Sequence, residues 1–154
     1  MTWLTEQLRL LIVATQFLTR LPIPQAVEAW MAWTPERLRA ASRYFPLVGL
    51  IVGGLTAGVY WVATQVWERP LAAAMSLACA ALFTGAFHED GFVDYADSFG
   101  GANRERALTI MKDSRIGTYG ALAAIFLFAI KWLALMSLSR DAAIAALLLA
   151  HTAG

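Results

Sequence analysis

Residues 45–67 read FPLVGLIVGGLTAGVYWVATQVW, and this stretch decides the fold. It contains no Asp, Glu, Lys, Arg or His. As a helix it extends about 34 Å, which exceeds the hydrocarbon thickness of a bilayer, about 30 Å. The stretch therefore predicts a transmembrane helix. Glycines at small-xxx-small spacing favour close packing against a neighbour, although glycine is also generally common in membrane helices. They are Gly49, Gly53, Gly54 and Gly58.

The composition is typical of a membrane protein. Apolar residues make up 59% of the chain and charged residues 15%, whereas soluble domains have about half and about a quarter. The net charge of +1 provides no basic field of the kind that nucleic-acid binding needs. Cys79 is the single cysteine, so the sequence holds neither a disulfide framework nor a thiolate metal site. We therefore expect membrane lipid, and not nucleic acid, as a partner.

Further apolar runs follow on the C-terminal side. Residues 71–87 and 116–139 each predict a transmembrane helix, and 142–154 begins a further helix. Lys131 interrupts the third span, and we interpret it as a side chain that snorkels or pairs inside the bundle, not as a catalytic lysine. The sequence thus predicts an all-α fold, a polytopic bundle of transmembrane helices that forms one membrane domain over 1–154.

The N-terminal residues 1–24 predict an amphipathic helix. Polar and apolar side chains fall on different sides of a helix over this range, and Pro22 and Pro24 end it. We interpret it as an interfacial or re-entrant helix packed on the bundle, with a short spanning helix as the alternative. Thr34, followed by Pro35 and an acidic residue, predicts the start of another helix.

The distribution of charge predicts the orientation in the membrane. Segments 20–43 and 88–115 each carry four Lys or Arg residues, whereas the turns at 68–70 and 140–141 carry one each. By the positive-inside rule, the two basic segments face the cytoplasm. The protein is therefore predicted to be multi-pass, with 88–115 as its cytoplasmic catalytic segment.

The cytoplasmic segment holds the candidate chemistry. Residues 88–120 contain six of the eleven acidic residues of the chain. Asp90, Asp94 and Asp97 are spaced i, i+4 and i+7, so on a helix their carboxylates share one face, with neighbouring Cβ atoms about 5–6 Å apart. Carboxylates without Cys or His at ligand spacing suit Mg²⁺, which keeps waters and bridges to phosphates. We predict a magnesium site on these aspartates; the alternative is a solvated helix face.

Basic residues follow the aspartates in the sequence. Asn103 predicts the cap of a short helix. After that helix, Lys112 and Arg115 are placed to reach the phosphates of a bound diphosphate, and Arg104 is a third candidate for phosphate binding. Asp113, or one of the clustered aspartates, is a candidate general base.

The residues exclude several other kinds of site. His88-Glu89-Asp90 is not the zinc-protease pattern, because Phe92 stands where the second histidine belongs. His88 and His151 are far apart in sequence, and we interpret each as an interfacial residue and not as a ligand. Two functions of other classes remain open. One is a cation transporter or channel subunit, since acids near apolar helices also mark ion paths, and the other is a structural membrane subunit.

Two motifs give the sequence a family resemblance. Residues 88–97 read HEDGFVDYAD and residues 112–117 read KDSRIG. In these motifs, and in the runs TRLPIP at 19–24 and FPLVG at 45–49, the chain resembles the cobalamin synthase family, the adenosylcobinamide-GDP ribazoletransferases. The resemblance covers the chain almost end to end. The aspartate pattern is also similar to that of the CDP-alcohol phosphotransferases, but the D-G-x-x-A-R portion of their motif is not matched.

The resemblance implies a magnesium-dependent transferase of the bacterial inner membrane. Such an enzyme joins α-ribazole, or its 5′-phosphate, to adenosylcobinamide-GDP and releases GMP in the last steps of cobalamin biosynthesis, and Asp90, Asp94 and Asp97 hold its metal. Glu89 stands where relatives carry an apolar residue. Family members continue through further spans, so we expect the chain to be the N-terminal part of a longer fold. A homo-oligomer is a further expectation.

Overall fold

The computed structural model describes residues 3–153, and within that range it consists of helices and short turns without a strand. The all-α prediction is confirmed. Residues 1 and 2 of the predicted amphipathic helix, and residue 154 of the last predicted segment, lie outside the described residues. The helices are α1 (Trp3–Leu18), α2 (Gln25–Met31), α3 (Pro35–Ala41), α4 (Phe45–Ala63), α5 (Arg69–Thr84), α6 (Phe87–Asp97), α7 (Arg104–Ile110), α8 (Thr118–Ser137) and α9 (Arg140–Ala153).

Two helical stretches in residues 3–153 are long and apolar enough to cross a membrane. One runs from Pro35 to Ala63, over 29 residues, and the other is α8, with 20 residues. Taken together, α5 and α6 are also long and apolar enough to cross a membrane, but their axes differ by 89° at the break between them. These apolar helices agree with a polytopic membrane protein.

The predicted spans and the helices differ mainly at their ends. The sequence predicts spans over 45–67 and 71–87, whereas α4 ends at Ala63 and α5 ends at Thr84. The backbone explains why α5 ends at Thr84. The next two residues, Gly85 and Ala86, adopt left-handed conformations with φ of +69° and +55°. A helix cannot continue through two such residues. α8 and α9 cover the third and fourth predicted runs.

The amphipathic α1 packs on the bundle through a narrow stripe. Leu10, Val13 and Ala14 are at most 3% exposed and form a cluster with residues of α2, α3 and α4. Leu4 and Leu8, on another side of the helix, are 60% and 49% exposed. An interfacial helix that rests on the bundle fits this distribution, since its outer apolar side chains remain available to lipid.

The centre of the bundle is the packing of α4 between α5 and α9. A Cβ added at Gly53 would lie 2.9 Å from the Leu148 carbonyl oxygen of α9, and one at Gly49 would overlap the His151 carbonyl. The close-packing prediction is therefore confirmed for these two glycines. An added Cβ at Gly54 or Gly58 would meet nothing within 4 Å, so neither glycine is needed for helix contact.

Arg69, the first residue of α5, holds the C-terminus of α8. Its guanidinium donates to the carbonyls of Leu135 and Met136 at 3.3 and 3.4 Å, and also to that of Leu138. The last carbonyls of a helix lack partners within the helix and carry a partial negative charge. A cation at this place therefore stabilises the end of α8 and joins it to the turn between α4 and α5.

Candidate active site

Helix α6 leaves α5 at nearly a right angle because of Gly85 and Ala86. The Ala86 N–H donates to the Ala81 carbonyl at 2.7 Å, which closes the end of α5. A Cβ at Gly85 would overlap the side chain of Arg20, so this position needs glycine for space as well as for its positive φ. The Arg20 N–H in turn donates to the Phe83 carbonyl at 2.8 Å. The start of α6 is thus set by the chain segment after α1.

Asp97, the last residue of α6, caps α8. It is 7% exposed, and its Oδ2 and Oδ1 accept the N–H groups of Gly117 and Gly120, each at 2.7 Å. Gly117 is the cap residue of α8, so the carboxylate meets unpaired amides at the positive end of a helix. A Cβ at either glycine would lie too close to the Asp97 carboxylate. The carboxylate and both glycines therefore form one structural unit.

An ion pair fixes the other end of α6. The Lys131 ammonium of α8 lies 2.7 Å from Glu89 Oε1, and the two side chains are 41% and 14% exposed. This contact confirms the interpretation of Lys131 as a paired side chain, and it gives Glu89 a structural partner. α6 is thus attached to α8 near its start by this pair and at its end by Asp97.

Between these two attachments lie Asp90 and Asp94. Asp90 is exposed and Asp94 is half-buried, and the carboxylate of neither makes a hydrogen bond or ion pair with another described residue. An added Cβ at Gly91 would meet nothing within 4 Å, so the helix is open to approach on that side. The structure therefore presents two uncompensated carboxylates, one helical turn apart, on a helix that is held in place.

These carboxylates fit Mg²⁺ as an ion that the substrate helps to bind. Among residues 3–153, no three His, Cys, Asp or Glu side chains converge closely enough to hold a metal by themselves. Asp97 as the third ligand stays a prediction, since both of its oxygens already accept backbone N–H groups. Mg²⁺ commonly takes one or two carboxylates and completes its shell with water and substrate phosphates. Asp90 and Asp94 are suited to that arrangement.

The predicted phosphate-binding residues differ in their pairing. The Arg115 guanidinium donates to both oxygens of Asp113, with Nε at 3.0 Å from Oδ1 and Nη2 at 2.6 Å from Oδ2. These hydrogen bonds lower the pKa of the Asp113 carboxyl to about 2. Arg104 and Lys112 are exposed and have no side-chain partner in the described part of the chain. Their two positive charges are therefore available to a ligand, whereas that of Arg115 is shared with Asp113.

The structure also brings together side chains that the sequence analysis treats separately. His88, Glu89, Lys131 and His151 line one cavity of about 400 Å³ between α5, α6, α8 and α9. The sequence analysis interprets each histidine as an interfacial residue, and it does not predict that the two line the same cavity. No pattern in the sequence signals it, because each of the three helices that supply these residues contributes only one or two of them.

The fold and the site define a class of protein: a helical membrane protein in which a short helix carries two carboxylates that have no side-chain partner among the described residues. A family model described as cobalamin-5-phosphate synthase matches residues 10–154. The chain belongs to the cobalamin-5-phosphate synthase family.

Curated relatives share this chain's sequence over most of its length and carry the name adenosylcobinamide-GDP ribazoletransferase. The relative from Leptothrix cholodnii is 48% identical over 140 residues, which cover 90% of the chain and 52% of the relative. The relative from Shewanella frigidimarina is 44% identical, with 97% of the chain and 57% of the relative covered. For Vibrio cholerae the identity is 44%, with 88% and 51% covered. The chain thus spans about half the length of these relatives. No solved structure matches it.

Proposed function

We propose that this chain carries the catalytic carboxylates of a magnesium-dependent transferase that joins α-ribazole, or its 5′-phosphate, to adenosylcobinamide-GDP and releases GMP. Family membership supports the proposal, since the curated relatives are named as that transferase. The observation that carries it is the pair of carboxylates of Asp90 and Asp94, which have no side-chain partner within residues 3–153, on a helix whose two ends are fixed by Glu89 and Asp97.

In this proposal Asp90 and Asp94 hold the magnesium ion. When bound, the ion supplies positive charge against the diphosphate and the departing GMP, which is the largest need of a phosphoryl transfer. The side chains of Lys112 and Arg104 add positive charge for the phosphate oxygens. The Asp113 carboxylate holds the Arg115 guanidinium in one orientation, so that its outer N–H groups are presented to a ligand.

The proton of the attacking ribazole hydroxyl needs an acceptor. An efficient general base has a pKa near the working pH, whereas the pKa of Asp113 is lowered to about 2 by Arg115. Asp113 is for this reason a weak base at neutral pH. We assign it to the orientation of Arg115 and leave the clustered aspartates as the candidates for the base.

The proposed location is the bacterial inner membrane, with the aspartates on the cytoplasmic side. The four basic residues in each of 20–43 and 88–115 support this orientation by the positive-inside rule. Only 11% of the apolar segment of α8 is buried within the described structure, so most of the surface of this helix is available to lipid or to another helix. A homo-oligomer and the identity of the contacting lipid stay predictions.

The test uses the full-length protein in membranes. Asp94→Asn and Asp90→Asn should abolish GMP release and Mg²⁺-dependent binding of GDP, while the protein remains in the membrane fraction. Asp141→Asn is the matched control, because Asp141 is an exposed aspartate in the predicted opposite turn. Unchanged turnover in both site variants removes the metal site from the proposal. Cation flux without nucleotide binding would instead support the transporter alternative.

A further inference from the structure

The cavity between α5, α6, α8 and α9 has a composition typical of a small-molecule site. Its volume is about 400 Å³, within the range of about 300–1,000 Å³ for such sites. Apolar side chains form most of the wall, with Leu77 from α5, Phe128 from α8 and Leu147 from α9 among them. A few polar groups converge on an otherwise apolar space, which is how proteins orient a bound molecule.

The polar groups form one cluster, defined by His88, Glu89, Lys131 and His151. Lys131 and Glu89 are in contact at 2.7 Å, and His151 lies within electrostatic range of the other three residues. Neither imidazole makes a hydrogen bond to another described residue. The two histidines also line a second, apolar cavity of about 130 Å³ that reaches α1 and α4. The cluster thus offers free donors and acceptors between two apolar spaces.

The charge of the cluster restricts the ligand. The Lys131 ammonium is already paired with the Glu89 carboxylate, and among the described residues no other Lys or Arg lines the cavity to bind a phosphate or a lipid headgroup. The unpaired imidazoles suit hydrogen bonds to uncharged nitrogen and oxygen atoms. An aromatic ligand with an apolar ring and a polar edge satisfies both the walls and the cluster, since aromatic rings bury large apolar area.

The cavity reaches the start of α6, the helix that carries the proposed metal ligands. Glu89 lines the cavity and directly precedes Asp90 on α6, so their Cα atoms are about 3.8 Å apart. A molecule held in the cavity therefore lies beside the residue that precedes Asp90, although the side chains of Asp90 and Asp94 do not themselves line the cavity.

We propose that this cavity binds α-ribazole, the acceptor of the proposed reaction. It holds the bicyclic aromatic benzimidazole base of this nucleoside against its apolar walls. The inference rests on the proposed function for the identity of the acceptor. His88 and His151 hydrogen-bond the polar edge of the nucleoside, and any 5′-phosphate lies outside the cavity. The sugar is thereby presented to the Asp90 end of α6.

The test measures two kinds of binding to the purified full-length protein in nanodiscs. Ala146→Phe places an aromatic ring in the cavity that Ala146 lines. Ala145→Phe, at the exposed neighbouring position of α9, is the matched control. We expect Ala146→Phe to weaken equilibrium binding of α-ribazole by about tenfold or more, with Mg²⁺-dependent binding of GDP unchanged. Ala145→Phe should change neither.

His151→Leu and His151→Gln keep the test decisive if Ala146→Phe does not fold. The leucine variant should lose α-ribazole affinity and the glutamine variant, which keeps a donor and an acceptor, should retain most of it. Parental α-ribazole affinity in Ala146→Phe or His151→Leu overturns the inference. So does native mass spectrometry in which Ala146→Phe loses a bound phospholipid and keeps α-ribazole. Loss of GDP binding in Asp90→Asn tests the proposed function separately, because that readout does not involve the cavity.

Discussion

At the scale of single residues, Asp97 has less freedom to bind a metal than its spacing predicts. Its two oxygens accept N–H groups from Gly117 and Gly120, at positions 20 and 23 residues further along the chain. The sequence correctly places three aspartates on one helical face. It does not reveal which of them is engaged, because the partners of Asp97 are backbone amides that carry no signature of their own.

Replacing Asp97 with Asn should destabilise the protein. Asn keeps one oxygen acceptor but turns an N–H₂ group toward one of the two amide donors, and it loses the charge that favours the start of α8. We expect the free energy of unfolding in detergent to fall by about 1.5–3 kcal/mol, as for hydrogen bonds to a charged group. Asp94→Asn serves as the control, and because the half-buried Asp94 carboxylate has no partner among the described residues, we expect a change within about 0.5 kcal/mol. Equal stability of the two variants would contradict the capping role.

Two glycines provide a matched pair of substitutions. Gly120→Ala should destabilise the protein, because the new Cβ would overlap Asp97 Oδ2 and contact Val93. Gly91→Ala should stabilise it by about 0.5–1 kcal/mol, since alanine is favoured over glycine inside a helix and nothing lies within reach of the new methyl group. Thermal unfolding of both variants checks the prediction. A stabilising Gly120→Ala would be incompatible with the described contact.

The pair formed by Asp113 and Arg115 has a defined pH dependence. The pKa of Asp113 is lowered to about 2, first by the side-chain hydrogen bond from Arg115. A lowered carboxyl pKa contributes stability that is present above the unfolded value, about 3.9, and is lost as the pH falls through about 2. The pair is therefore intact throughout the working range, and Asp113 does not titrate there.

A pH profile of GMP release tests this conclusion. The acidic limb of kcat/KM in the full-length protein should keep its position in Asp113→Asn, because the group that titrates there is a different one. The overall rate should fall as the orientation of Arg115 is lost. If the acidic limb disappears in Asp113→Asn, then Asp113 is the base and our assignment is wrong.

At the scale of helices, the sequence predicts the number and approximate position of the apolar elements. Continuous apolar runs of sufficient length determine α4 and α8, because lipid and neighbouring helices both accept such surfaces. The break between α5 and α6 is not predictable in the same way. The run 71–87 contains no charge, and Ala86 rarely adopts a left-handed conformation, so the 89° turn depends on long-range contacts such as that of Arg20 with Gly85.

The attachment of α6 to α8 by Glu89 and Lys131 can be measured. Lys131→Met leaves a carboxylate that is only 14% exposed without its partner, and we expect a loss of about 1–3 kcal/mol in unfolding free energy. Glu89→Gln in the same protein should restore most of that loss, which a double-mutant cycle records as coupling.

The exposed pair Arg39 and Glu36 is the control for this cycle. Its side chains are 77% and 74% exposed, so the corresponding coupling should lie below about 1 kcal/mol. Equal coupling in the two pairs would mean that the Glu89 contact does not fix α6.

At the scale of the whole molecule, the proposed orientation places the loop after α7 and the turn before α5 on opposite sides of the membrane. A cysteine in place of Ser114 should react with an impermeant maleimide from the cytoplasmic side only. A cysteine in place of Glu68 should react only from the opposite side. Cys79, the single native cysteine, is replaced by alanine in both variants. Labelling of both positions from one side would contradict the arrangement that the basic segments predict.

Composition and charge distribution predict the membrane class and the orientation, because both depend on sums over many residues. The cavity between four helices depends instead on which faces meet, and local sequence periodicity does not contain that information. Gly49 and Gly53 show the intermediate case. Their spacing predicts a close contact, but only the fold identifies α9 as the partner and separates them from Gly54 and Gly58.

The two side chains that close the ends of α8 both precede it in the chain. Arg69 and Asp97 leave the ribosome before the first residue of α8 does, as synthesis runs from the N-terminus. The residues that bind the two ends of α8 have therefore already been synthesised when α8 enters the membrane. The direction of synthesis alone would then determine the order of assembly. Helix α6, which carries the carboxylates, would reach its final position only after α8 has been inserted.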